Sequence, residues 1–426
     1  GRMYMVSDKG DNKDLSELLL VDIDSEKIEY IESDPEGKVD FGGAIFSDLT
    51  DELIGTSYTA DKSKIYWRDK AFEGDYDMLV DRFNGAEISF TSGTEDEKTW
   101  IVFVNKDTDP GSAYLFDRNS KETTFLYRPR TELPVEHLCE MKPISFISSD
   151  GLEIPAYLTL PKTEKINNLP FVIMPHGGPW ARDYWGYNSY AQFLSNRGYG
   201  VLMVNFRGSI GYGKSFLNKG NLQWGKLMQD DITWGVKHIV EKGWADENRI
   251  AILGGSYGGY ATLAGLTFTP DVYAAGVSIV GPSNLFALLE TIPPYWASAL
   301  KMFHIRMGNP ETEEGKTHLK AISPFFHADK IKSPLLVAQG DNDPRVKTAE
   351  SDQIVAACRD SGQDVQYLNF PDEGHGFANP SNSMAFLAVT EQFLAKHIGG
   401  RFQKEVPKDL NDIIDKVSID VSTVEI

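Results

Sequence analysis

The stretch Ile250-Ala251-Ile252-Leu253-Gly254-Gly255-Ser256-Tyr257-Gly258-Gly259-Tyr260 constrains this chain more than any other. An apolar run, then Gly-x-Ser-x-Gly, then Ala261 to Leu266 reads as a buried strand turning sharply into a helix with Ser256 at the apex, the arrangement called a nucleophile elbow. Such a turn strains the backbone at the serine and brings strand and helix so close that a Cβ at Gly254 or Gly258 would obstruct it. At about 7% glycine and a similar share of serine, a chain of this length carries roughly 0.15 accidental copies of the pentapeptide. Its surroundings therefore decide what it is.

Those surroundings alternate. Ile144 to Ile147 and Ala156 to Leu160, joined through Ser149-Asp150-Gly151, read as an antiparallel hairpin. Continuous apolar runs follow at Phe171 to Met174, Val201 to Val204, Ile250 to Leu253, Ala275 to Val280, Leu335 to Ala338 and Val365 to Phe370. Helix-like segments separate most of them: Tyr190 to Asn196, Leu222 to Glu241, Tyr257 to Phe268, Thr348 to Asp360 and Ser383 to His397. Strands apolar on both faces, alternating with helices, mean a mostly parallel sheet covered on both sides, an α/β-hydrolase fold with Ser256 ending the fifth strand. Sites in such sheets lie beyond the carboxyl ends of the strands. Asp343 stands there, in Gln339-Gly340-Asp341-Asn342-Asp343-Pro344-Arg345-Val346, and so does His375, in Pro371-Asp372-Glu373-Gly374-His375-Gly376-Phe377. Taken singly, Asp343 reads equally as a turn residue or helix cap, with Asp341 as a rival, and His375 as an ordinary loop histidine. In the order Ser256, Asp343, His375 they match the triad of that fold.

The chemistry asks for these residue types. A serine hydroxyl is a weak nucleophile at neutral pH, so His375 would accept its proton and return it to the leaving group, with Asp343 fixing the imidazole tautomer. The oxyanion of the tetrahedral intermediate needs N–H donors. One is the backbone of Tyr257; the second falls to Gly178, with Gly177 next, in the Gly-rich loop Pro175-His176-Gly177-Gly178-Pro179-Trp180. His176 has no ligand partners at metal-binding spacing, and no cofactor motif is present, so neither metal nor cofactor is expected.

Residues 1 to 138 follow another grammar. Short β-type runs (Leu18 to Asp22, Ile28 to Ile31, Ile65 to Arg68, Met78 to Val80, Thr99 to Val104, Tyr114 to Phe116, Thr124 to Tyr127) are separated by polar turns, with no helical period among them. Leu18 to Lys27 and Ser112 to Lys121 echo one another: an apolar strand, an Asp, then a polar turn ending in Lys. Asp22 and Asp117 lie 117 − 22 = 95 residues apart, about two periods of a β-propeller blade. The expectation is an all-β partial β-propeller of about three blades, with an ordinary meander or small sandwich as the competing reading. The catalytic domain then runs over 139–426, with an acidic tail from about residue 401 that carries a helix-like stretch, Asp409 to Val417.

Lys plus Arg number 42 against 62 Asp plus Glu, a formal charge of −20. That balance opposes binding to nucleic acid or anionic membranes. No apolar run is long enough to span a bilayer, so a soluble protein is expected. No signal peptide opens the sequence, which is uninformative because the chain begins Gly-Arg-Met, and the compartment, cytoplasm or periplasm, stays open. Cys139 and Cys358 lie far apart and read as buried thiols.

The chain resembles the prolyl oligopeptidase family of serine peptidases, in its acylaminoacyl-peptidase-like branch. The resemblance rests on His176 to Trp180, Asn205-Phe206-Arg207-Gly208-Ser209 with Gly211-Tyr212-Gly213, Gly254 to Tyr260, Asp343 to Val346 and Glu373 to Phe377. It implies hydrolysis of short peptides or acylated amino-acid derivatives behind a propeller that filters by size, here with over half of the ring lacking. It also implies that Arg345 bonds a substrate carbonyl and that Trp180, Val346 and Trp296, with Tyr295 beside it, line the pocket for the side chain before the scissile bond. For Pro293-Pro294-Tyr295-Trp296 an aromatic loop packed on the core is an equal reading. Asn205 to Gly208 read as support below the site, and Gln229-Asp230-Asp231 as a solvated helix face or cap. A carboxylesterase or aryl-amide hydrolase on the same machinery and a non-catalytic propeller binding protein are the rival functions, and a homodimer through the open propeller edge is the expected partner arrangement.

Overall fold

Short strands joined by polar turns pair with their sequence neighbours, and the first part of the chain is built that way. In the computed structural model, which describes residues 1–292 and 294–425, three antiparallel sheets follow one another. The first holds β1 (Arg2–Ser7), β2 (Glu17–Asp22) and β3 (Ile28–Glu32); the second β4 (Gly43–Phe46), β5 (Leu53–Thr59) and β6 (Ser63–Trp67); the third β7 (Glu87–Gly93), β8 (Thr99–Lys106), β9 (Asp109–Asp117) and β10 (Glu122–Tyr127). The echoed segments form the same turn. Asp22 Oδ1 accepts from the N–H groups of Asp24 and Ser25 at 3.2 and 2.8 Å, and Asp117 Oδ1 from those of Asn119 and Ser120 at 2.9 Å each. These backbone donors stabilise the carboxylate form and hold both groups below the usual range.

Between β6 and β7 the chain departs from the all-β expectation. Met78 to Val80 lie in a helix, Lys70–Arg82. Asp69 caps it, accepting from the N–H groups of Ala71 and Phe72 at 2.8 and 2.9 Å. Phe72, Tyr76, Leu79 and Phe83 recur at helical spacing, and the Phe72 ring packs on Trp67, Phe90 and Trp100. Three apolar residues isolated from those partners look like a strand; the cap and the 3-to-4 spacing decide otherwise.

Residues Gly1–Lys142 form one compact unit together with Tyr184–Gln192 and Ile210–Phe216. The last segment is fastened by Tyr212, which packs on the cluster of Leu18, Val39, Phe41 and Tyr58. Backbone bonds from Gly213 to Asp40 (3.1 Å) and from Ser215 to Asp14 (2.6 Å) add to that hold.

The rest of the described chain is a second unit, organised on a nine-stranded sheet. Its strands are β11 (Met141–Ile147), β12 (Glu153–Thr159), β13 (Leu169–Pro175), β14 (Gly200–Val204), β15 (Ala245–Gly255), β16 (Ala275–Ile279), β17 (Leu335–Gly340), β18 (Val365–Phe370) and β19 (Ser418–Ile419), in the order β11-β12-β14-β13-β15-β16-β17-β18-β19. The six from β14 to β18 pair in parallel, with β12 and β19 antiparallel at the flanks. Helices Leu227–Glu241, Tyr257–Phe268, Thr348–Asp360 and Pro380–Ile398 accompany the sheet. The first of them starts later than the sequence suggests, because Leu222 adopts φ 58° and Gly225 φ 64°, and the N–H of Leu222 is drawn to the carbonyl of Arg306 at 2.7 Å. The tail contributes a helix, Lys408–Val417, and the edge strand β19.

Cys139 and Cys358 are buried and unpaired, and burial pushes the Cys358 thiol up to about 12. Among the described residues no helix is long and apolar enough to cross a membrane and no cluster of side chains suits a metal ion. Replacing the helix cap, Asp69→Ala, is expected to cost about 1 kcal/mol, read as roughly fivefold faster hydrogen exchange in the first turn of Lys70–Arg82 with the other sheets unaffected.

Candidate active site

β15 ends at Gly255 and the next helix begins at Tyr257, so Ser256 alone makes the turn, at φ 58° and ψ −120°. A residue with a Cβ adopts that conformation only where packing imposes it. Here glycines allow the contact. A Cβ on Gly258 would lie 2.2 Å from the carbonyl oxygen of Pro175, and one on Gly254 would lie 2.4 Å from that of Gly258. The N–H of Ser256 donates to the carbonyl of Ile279 on β16 at 2.9 Å.

The loop after β13 passes over this turn: a Cβ on Gly177 would stand 3.5 Å from that of Ser256. His176 steadies the loop. Its Nδ1–H donates to the Gly177 carbonyl at 2.8 Å, and its Nε2 lies 2.8 Å from the Ser209 hydroxyl, which is also 2.7 Å from the Phe206 carbonyl. Burial pushes this imidazole down to about 4, so it stays neutral at ordinary pH. Phe206 stacks on it with ring centres 4.3 Å apart and meets the Tyr257 ring at 5.1 Å.

Next to Phe206, Arg207 is fully buried. Its Nε and Nη2 bind Asp231 at 2.8 and 2.7 Å, and its Nη1 and Nη2 bind Asp150 at 2.8 and 2.9 Å, which holds the Asp150 carboxyl down to about 2. This corrects the reading of Gln229-Asp230-Asp231 as a solvated face, since Gln229 and Asp231 are both buried. The partners of Asp231, Arg207 and Ser148, come from elsewhere in the chain, so helix periodicity alone gave no sign of them.

After β17, the Asp343 carboxylate is buried and fully engaged. Oδ1 accepts from the N–H groups of Arg345 and Val346 at 2.8 and 3.0 Å, and Oδ2 lies 2.6 Å from His375 Nδ1. Asp341, the rival, is exposed and meets Thr348 and Asn369 instead. The His375 loop, after β18, is braced by the buried Glu373, whose oxygens accept from the N–H groups of Ala378 and Asn379 at 2.9 Å each.

Ser256, Tyr257, Gly178, Trp180, Trp296, Arg345 and Val346 line one cavity of about 320 Å³. Arg345 lies over the Trp296 ring at 5.4 Å. Tyr295 does not reach the cavity; it is 60% exposed on the 3-10 turn Pro294–Ala299, whose successive side chains diverge, and Pro293 lies outside the described residues. Sequence reasoning missed Leu288, Ile292, Met302 and Phe303, which supply much of the apolar wall. They sit in the excursion between β16 and β17, where only the spacing of Ala299 and Phe303 on one helical face hinted at them.

This sheet, with a serine at the strand-to-helix turn, defines the α/β-hydrolase class of fold. The chain belongs to the prolyl oligopeptidase family, which matches residues 185–401. Dipeptidyl aminopeptidase BIII of Pseudoxanthomonas mexicana is 45% identical over 94% of this chain and 58% of its own length. Dipeptidyl peptidase family member 6 of Caenorhabditis elegans is 36% identical over 99% of this chain and 60% of its own. A puromycin-hydrolyzing peptidase of Mycobacterium tuberculosis shares the fold, with a TM-score of 0.78 at 24% identity over 94% of this chain and 61% of that one. The chain thus spans about three fifths of the length of these relatives.

Two measurements check the site's construction. Gly258→Ala drives a Cβ into the Pro175 carbonyl, and no soluble, cooperatively folding protein is expected from it. Asp183 is half-buried, but its Oδ2 is shut away from solvent with no hydrogen-bond partner among the described residues, and desolvation raises the carboxyl to about 7. A carboxyl raised on folding stabilises the native state below its unfolded value near 4, and that contribution, on the order of 4 kcal/mol, is lost as pH rises through about 7. Asp183→Asn is therefore expected to flatten the fall in melting temperature between pH 5 and 8; an unchanged slope would refute this.

Proposed function

We propose that this chain is a serine peptidase acting on short peptides, with Ser256 as nucleophile, His375 as general base and acid, and Asp343 orienting the imidazole. One observation carries the reading: the carboxylate that binds His375 also holds the N–H groups of Arg345 and Val346, two residues lining the cavity that contains Ser256. In the forward step Ser256 Oγ attacks the carbonyl carbon while His375 takes its proton. The oxyanion meets the N–H of Tyr257, which opens a helix and has no intrahelical acceptor, and that of Gly178. Collapse expels the amine with the proton from His375, and water then hydrolyses the acyl-enzyme by the same route. Trp180, Trp296 and Val346 accept a large apolar side chain before the scissile bond, and Arg345 bonds a substrate carbonyl.

We read the three antiparallel sheets of the first unit as blades of a partial propeller, supported by the matching Asp22 and Asp117 turns, with a homodimer through its open edge. Residues 1–138 and 139–426 are the corresponding domains.

The names of the two relatives favour release of dipeptides from a free N-terminus. The cavity favours a blocked one: its described lining includes no carboxylate to meet an ammonium, and it does include Arg345. Turnover of an N-acetyl-aminoacyl anilide, a free dipeptidyl anilide and the matching ester, each with Ser256→Ala as blank, separates these readings from a carboxylesterase. Ser256→Ala is expected to lower kcat by roughly 10⁴-fold or more while the far-UV spectrum stays native. Retained amide turnover in that variant would move the nucleophile elsewhere, and ester cleavage alone would favour the esterase.

A further inference from the structure

The cavity has two walls from separate parts of the chain. One is the excursion that leaves β16 at Val280 and carries Pro282, Leu288, Ile292, Trp296 and Phe303; the other is the loop after β17 that carries Arg345 and Val346. Across the opening they meet where Arg345 lies over Trp296. Their roots are joined by Glu350, a buried carboxylate in the first turn of the helix Thr348–Asp360, four residues beyond Val346.

Glu350 Oε2 accepts from the N–H of Ser283 at 2.7 Å, the N–H of Asn284 at 2.8 Å, the Ser283 hydroxyl at 3.0 Å and Gln353 Nε2 at 3.0 Å. The Ser283 hydroxyl also reaches the Glu350 carbonyl at 2.7 Å. Every donor thus lies at the start of the excursion or on the helix of Glu350 itself. No lysine or arginine forms an ion pair with it among the described residues. Oε1 has no hydrogen-bond partner among the described residues. Burial of an anion without a countercharge is costly, and its carboxyl is accordingly raised above the ordinary range. A fold has cheaper ways to cap a six-residue helix, and Asn284 already caps this one through its side chain.

A second feature converges on the same point. Val280, at the exit of β16, adopts φ 43°, a conformation that β-branched residues avoid. It is held there by its own N–H bond to the Ala338 carbonyl at 2.8 Å. Strain of this kind persists only where neighbours over-determine it. The backbone N–H groups next pinned, Ser283 and Asn284, are those taken by Glu350.

We propose that Glu350 is a positioning residue for substrate selection: it locks the root of the aromatic wall to the Arg345–Val346 loop and so sets the width of the pocket for the side chain before the scissile bond. Glu350 touches neither substrate nor the reacting groups. The inference rests on the reading of the cavity as the substrate pocket, and the test keeps the two apart. The substrates are a peptide anilide with Phe before the scissile bond and p-nitrophenyl acetate, whose acyl group is too small to use the wall.

With Glu350→Ala, KM for the Phe anilide is expected to rise roughly tenfold with kcat within about threefold, while acetate turnover changes far less. Glu350→Gln keeps an acceptor oxygen for the two backbone donors and is expected to show a KM rise of only about threefold. Should the alanine variant fail to fold, the glutamine variant alone decides. Equal losses on both substrates, or an unchanged KM in the folded variants, overturns the proposal. Acetate turnover that survives Ser256→Ala would instead strike at the reading of the site itself.

Discussion

Strand β15, its helix and the loop after β13 approach one another more closely than any side chain would allow, and the positions of the chemical groups in the second unit follow from that contact. Gly254 and Gly258 are the points of approach, and Gly259 brings the same helix against the exit of β16, where a Cβ would stand 2.7 Å from Gly281. Because the three elements cannot separate without losing the sheet, the turn at Ser256 is held in a conformation that its own residue disfavours. The serine is presented by the rigidity of its neighbours, and mobile loops are not needed to deliver it.

The same part of the molecule carries an unusual load of buried charge. Arg207, Asp231, Asp343, Glu350 and Glu373 are all nearly inaccessible, and each is provided with several hydrogen bonds, as burial of an ion requires. Their distribution is informative. Arg207 and Asp231 lie behind the loop bearing Gly177 and Gly178, Glu373 behind the histidine, and Glu350 behind the aromatic wall. Buried carboxylates that gather several backbone N–H groups at fixed distances fix loops more sharply than apolar packing does, because a hydrogen bond has direction and dispersion has little.

Much of this was legible in the sequence, for a physical reason. Parallel strands buried on both faces are continuous apolar runs, and the helices Tyr257–Phe268 and Thr348–Asp360 coincide with their sequence patterns because a glycine-rich turn precedes the first and Pro270 follows it, while Pro344 precedes the second. What could not be read depends on partners far along the chain. Asp231 looks like any helix-surface acid until Arg207 arrives, and Met78 to Val80 look like a strand until Phe72 is placed on Trp67 and Phe90. The wall residues between Leu288 and Phe303 belong to short, irregular helices with no strong period, so a shared cavity is the property that groups them. Tyr295 illustrates the converse: it is adjacent to Trp296 in sequence and points elsewhere.

Both thiols of the chain are buried, and burial displaces the ionisation of Cys358 far above neutral pH. A reagent must reach a thiol to alkylate it, and with both sulfurs buried the folded protein presents a low background to maleimide chemistry. A single cysteine introduced at an exposed position such as Tyr295 would carry a fluorophore or spin label beside the pocket without first removing the native thiols, which makes the wall of the cavity directly accessible to spectroscopy.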